Sequence, residues 1–271
     1  MLPVMIEATL TAAAFGDQPG CWPLPTATTQ QQLWLRAVAA GGQGRYCSAR
    51  CDLEALVRTA PAGRLASLAH STQASFLRQL GWHTLARRWD GRALALAGGD
   101  PEAGADALIG LAADALGVGR FAAAATLLSR AEKVSAAAPA QRLTLRRGWV
   151  AAELAMATGA GVTAVRHAEV AAQLAASAVG GAGSARHRVK SEMVLAAALC
   201  SAGDIDRARV VGDAALDAAG RFGLIPLHWA LACLLIDIGS GAHTARALRT
   251  MRDECAELVR HAGGHWRVAN A

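Results

Sequence analysis

One local pattern recurs down this chain and restricts its fold more than any other feature: an apolar helical run, a glycine, then an alanine five residues on. The glycines are Gly44, Gly81, Gly119, Gly159 and Gly203, and the matching alanines are Ala49, Ala86, Ala124, Ala164 and Ala208. Successive glycines lie 37 to 44 residues apart. That is room for two helices of about 15 residues and two short turns, so each interval predicts one helical hairpin. A degenerate sixth turn stands at Gly239-Ser240-Gly241, followed by Ala245.

Each marker has a physical reason. Glycine accepts the positive φ that ends a first helix, and a small alanine on the second helix lets the two backbones approach closely. Pro61, Pro101 and Pro139 fall where second helices should end, because proline starts a helix well but cannot continue one, and Pro226 plays the same part before the last pair. Much of the apolar content is alanine, aromatics make up only 4%, and no run alternates β-branched with polar residues. The expected fold is therefore all-α, with no strand.

The markers resemble the tetratricopeptide repeat, whose second half reads roughly G-x-[YF]-x-x-A-x-x-x-[YFL]-x-x-A. The third repeat carries Gly119, Phe121, Ala124, Leu128 and Ala131, with Leu111 and Ala112 as the large-small pair upstream. The first keeps Gly44, Tyr46, Ala49 and Leu53, and the fifth keeps Gly203, Asp204, Ala208 and Ala215, with Leu195 and Ala196 before them. The likeness spans about residues 30 to 260, with a spacing longer than the family's period of about 34. It is closer to the irregular helical arrays appended to large bacterial regulators than to a consensus repeat protein. The resemblance implies a right-handed α-α superhelix of about six hairpins and a protein-binding role.

On this reading residues 1–28 are an N-terminal arm or incomplete capping helix, 29–178 hold four hairpins, 187–262 hold two, and 263–271 form a tail. Between them, 179–186 reads as a flexible connection through Val179-Gly180-Gly181-Ala182-Gly183-Ser184. The first fifteen residues contain Glu7 and no arginine or lysine, so they lack the charged start of a signal peptide. The apolar stretch from Leu224 to Ile236 contains Pro226 and His228 and is too short to span a bilayer. A cytoplasmic location is expected, with no membrane partner. The six cysteines have no paired spacing and read as reduced core residues.

Motifs suggestive of chemistry have simpler explanations within the repeat. Gly117-Val118-Gly119 and Gly159-Ala160-Gly161 imitate a dinucleotide loop, but they follow helical runs and recur with the repeat, so no cofactor is expected. Cys47 and Cys51 would share a helix face, yet nothing nearby completes four ligands, and Gly263 and Gly264 separate His261 from His265; no metal is expected. Nucleophile elbow, Walker loop, zinc-protease helix and paired aspartate-rich motifs are missing, and Asp106, Asp114, Glu153 and Glu169 read as solvated helix faces. The chain is expected not to be an enzyme. Trp34, Trp149 and Trp229 read as core, Trp82 and Trp89 as one face of a second helix, and Trp266 as exposed tail.

The formal charge of +6 is spread along the chain and not gathered in one block, so a nucleic-acid partner is not expected. Arg142, Arg146 and Arg147 open the first helix of the fourth repeat, and Arg186, Arg188 and Lys190 that of the fifth. First helices of such solenoids line the concave surface, so these six are the candidate partner-binding residues, suited by the arginine fork to an acidic peptide. As plain surface charge they would only solubilise. The expected function is a non-enzymatic adaptor docking a peptide or helix in a solenoid groove. Two alternatives stay open: a sensory domain enclosing a small ligand or signalling peptide, and an all-helical enzyme.

Overall fold

A computed structural model describes residues 3–137, 140–177 and 183–267. Among them are thirteen helices and no strand: α1 Pro3–Phe15, α2 Gln30–Gly42, α3 Tyr46–Thr59, α4 Arg64–Gln79, α5 His83–Leu96, α6 Pro101–Gly117, α7 Phe121–Ser135, α8 Gln141–Ala157, α9 Gly161–Ala176, α10 Ala185–Ser201, α11 Ile205–Arg221, α12 Ile225–Ile238 and α13 Ala245–His261. From α2 onward they pack in consecutive pairs, giving six hairpins in a superhelical array.

The turns form as their sequence requires. All five marker glycines have φ between 75° and 88°. The residue after each donates its N–H five positions back, as Arg120 does to the Ala115 carbonyl at 2.8 Å and Asp204 to Leu199 at 3.0 Å. This bond caps the carbonyls left open by the first helix. The five marker alanines are completely buried between the paired helices. Ala245 of the degenerate sixth turn is exposed instead, and Leu248 takes the buried place. Pro101 occupies the first turn of α6 behind its cap Asp100, whose side chain accepts from the Ala103 N–H at 2.8 Å.

First helices α2, α4, α6, α8, α10 and α12 touch one another in sequence and form an inner layer, with the second helices outside. The array does not end open. Val259 of α13 lies in the same apolar cluster as Tyr46, Leu53 and Phe76 of the first two hairpins. The Cys47 N–H donates to the Ala262 carbonyl at 2.8 Å, and Arg50 donates to that of Gly263 at 2.8 Å. Residues 263–267 continue as a strap over the second hairpin, where Arg267 N–H meets the Leu80 carbonyl at 2.9 Å and Trp82 Nε1 donates to that of His265 at 2.7 Å. From the other end, α1 packs on α2, and Ala185 N–H donates to the Gly16 carbonyl at 2.9 Å, tying the end of α1 to hairpin five. The hairpins thus close into a ring.

Several expectations are corrected by this closure. Trp266 is not a free tail residue: it stacks on Trp229 with centroids 4.1 Å apart. Trp82 precedes α5 as its cap and does not share a helix face with Trp89. Cys47 and Cys51 are exposed, not core, and only Cys255 is buried. The glycine run Val179 to Ala182 and the expected helix stop at Pro139 lie outside the described residues, whereas Ala185 and Arg186, read as part of a flexible connection, belong to α10. Among the described residues no helix is long and apolar enough to cross a membrane.

Candidate functional site

The inner helices surround a cavity of about 500 Å³. Helical spacing decides what faces it. Arg142, Arg146, Trp149 and Glu153 recur at i, i+4, i+7 and i+11 on α8, and Arg186, Lys190 and Met193 at i, i+4 and i+7 on α10. All of these except Arg142 line the cavity, together with Arg78 and Gln79 of α4, His83 at the start of α5, Leu116 and Gly117 at the end of α6, and Leu227 and Trp229 of α12. Beneath it, Phe15 at the end of α1 packs 5.4 Å from the Trp34 ring and 6.1 Å from His187, filling the axis of the ring at that end.

The charges inside are mostly paired. Arg142 reaches Asp106 at 3.0 Å and Glu102 at 3.1 Å, and Arg146 contacts the other oxygen of Asp106. Arg78 donates to Asp90 at 2.7 Å and stands 3.4 Å from Asp114, while Ser71 donates to Asp90 at 2.8 Å. Lys190 meets Glu153 at 3.2 Å. Arg186 differs: its Nη1 donates to the Val38 carbonyl at 3.1 Å, and among the described residues no carboxylate lies within 4.0 Å.

Burial acts on each group in the direction that disfavours its charge. Arg186 is pushed down to about 10 by burial and by the neighbouring Arg142. Arg146 also falls to about 10, through burial and then Arg78, with Asp90 opposing. The buried Asp90 is raised to about 7 by desolvation, against Arg78. His187 is held well below its usual range by burial and then by Arg186, Arg142 and Arg146, so it is a neutral imidazole packed edge-on to Trp149 at 5.5 Å.

The six candidate residues therefore separate. Arg146, Arg186 and Lys190 line the cavity, and Arg142 supports them from the side. Arg147 pairs outward with Glu132 at 2.8 Å, and Arg188 is exposed. Asp106 and Asp114, read as solvated, are buried, whereas Glu169 is an outer residue paired with Arg207 at 3.2 Å. Sequence reasoning missed Arg78, Asp90 and His187 altogether. A signal did exist for part of the network, because partners stand about one repeat apart: Arg142 and Asp106 are separated by 36 residues, Lys190 and Glu153 by 37, Arg64 and Glu102 by 38, and Trp149 and its acceptor Ser191 by 42.

Both oxygens of Asp114 and Nδ1 of His83 lack hydrogen-bond partners, and the two groups approach to 3.7 Å beside the cavity. Among the described residues, no three histidines, cysteines or carboxylates converge as a metal site. No protein-family model matches the chain, and no curated protein is detectably similar to it in sequence, so any functional reading rests on the geometry of the ring and its cavity.

Proposed function

We propose that the hairpins are degenerate tetratricopeptide-like repeats and that the ring is a non-catalytic sensory module enclosing a small ligand. The observation that carries this reading is closure: the first and last hairpins meet, and the inner helices surround about 500 Å³ lined by arginine, lysine, histidine and tryptophan. A volume of a few hundred to about 1,000 Å³, mostly apolar with a few directed polar groups, is typical of small-molecule sites. Docking a partner helix is harder to accommodate. One turn of α-helix, about 5.4 Å long and 10 Å across, would fill nearly the whole space, so a longer helix would project from it with most of its length uncovered.

Thermal-shift screening of a metabolite panel against the protein and its Ala230→Trp variant tests the reading, since Ala230 lines the far wall and tryptophan there occupies the space. A ligand at one hundred times its Kd stabilises by about 2.7 kcal/mol, or roughly 5 °C for a chain of this length. Hits should shift the wild type and not the folded variant. Compounds that stabilise both equally bind elsewhere, and the enclosed-site reading fails.

A further inference from the structure

Among the described residues, every cation of the ring interior but one has a carboxylate partner. Arg78 has Asp90 and Asp114, Arg142 has Asp106 and Glu102, Arg146 has Asp106, and Lys190 has Glu153. Arg186 has only the Val38 carbonyl and the face of Phe15, 5.9 Å from its guanidinium carbon. Among the described residues its remaining donors have no acceptor, yet they are absent from the buried unpartnered atoms, so they are open to the cavity that Arg186 lines. Arg186 is half-buried, and a partly desolvated cation with no anion beside it leaves a place where a bound anion would supply the missing charge.

The backbone makes room for this arrangement. α2 ends in Gly42, and a Cβ there would stand 3.0 Å from Arg186 Nη1 and 3.1 Å from Cδ, so glycine leaves the guanidinium its seat without the shift of a few tenths of an ångström that a methyl group would require. The wall also changes character along the axis. Met193 lies two helical turns beyond Arg186, about 10 Å at 1.5 Å per residue, and Leu116, Leu227 and Trp229 join it in the lining.

Resting on the enclosed-site reading, we infer that the cavity takes a small organic monoanion, its carboxylate-type head gripped by the Arg186 fork and its apolar body lying against Met193, Leu116 and Trp229. A single guanidinium with no anion beside it offers a place for one acidic head. The neutral His187 beside Arg186 adds none. A planar carboxylate matches the paired N–H donors of guanidinium.

A matched pair of fluorescent probes separates the anion assignment from the enclosed site: 8-anilino-1-naphthalenesulfonate, whose sulfonate stands in for the carboxylate, and neutral N-phenyl-1-naphthylamine, which has the same rings without it. The anion should bind once per chain, at least tenfold tighter than the neutral probe. Arg186→Gln should lower the anion's affinity at least tenfold and leave the neutral probe unchanged. Arg186→Met, which removes the charge and leaves no polar group to desolvate, should do likewise and serves if the first variant fails to fold. Equal affinity for both probes, or an anion affinity indifferent to both substitutions, overturns the anion assignment while leaving the enclosed site standing. Failure to bind either probe, or binding untouched by Ala230→Trp, overturns the enclosed site and this inference with it.

Discussion

Asp90 offers the sharpest physical test of the interior. Its side chain is fully buried, accepts from Ser71 and Arg78, and titrates near 7 against an ordinary value of 3.8. Because the folded pKa lies above the unfolded one, the folded state holds a proton that the unfolded state has already released between those values. Its contribution to stability is therefore complete at pH below the unfolded pKa and is lost as pH rises towards 7. Across pH 5 to 8 the loss integrates to roughly 2–3 kcal/mol. Asp90→Asn has nothing to titrate, so the difference in unfolding free energy between variant and wild type should move in the variant's favour by that amount over the window. In melting temperature this is about 5 °C or more. Urea unfolding of both proteins at pH 5, 6, 7 and 8, followed by circular dichroism, measures it. A difference that stays flat with pH, or one that moves the other way, would refute the claim that desolvation outweighs Arg78 at this carboxyl.

His187 titrates with the opposite sign: its folded pKa is depressed below 6.5, so stability is lost as pH falls below that value, and His187→Phe should blunt the acid limb of the melting curve. Ala124→Trp should destabilise by about 1–3 kcal/mol or abolish folding, since Ala124 is completely buried between α6 and α7; a neutral result would mean that the hairpin is not packed there. Gly91→Ala should raise stability by about 0.5–1 kcal/mol, because Gly91 lies inside α5 with open space where its Cβ would go; thermal unfolding reads the sign. Gly41→Ala should do the reverse, as its Cβ would fall 2.1 Å from the Phe76 ring, and a melting point equal to wild type would contradict that packing.

What was legible in the sequence was local. Gly44, Gly81, Gly119, Gly159 and Gly203 state a backbone conformation, and the alanines five residues on state a close approach, so hairpins and their order follow directly. Closure was not legible, because the contacts between Val259 and Tyr46, or Gly16 and Ala185, join segments with no shared pattern. The arginines were half legible. Their positions on first helices follow from the repeat, but a guanidinium is usually exposed, and only the carboxylate one repeat earlier reveals that Arg142 is buried. Asp90 was hidden for a different reason: it sits on a second helix, and its burial depends on Gly110, where a Cβ would lie 2.2 Å from its carboxylate.

An array of repeats normally has two ends, and its terminal hairpins, each with one neighbour, are the first to come undone. Contacts between hairpin six and hairpin one lessen that asymmetry without erasing it. Residues 263–267 run across the join to Leu80 and Trp82 of hairpin two, and the Gly16 clasp ties the end of α1 to hairpin five. The join is thinner than the interfaces between consecutive hairpins, so opening should begin there, with amide exchange faster in α3 and α13 than in α6.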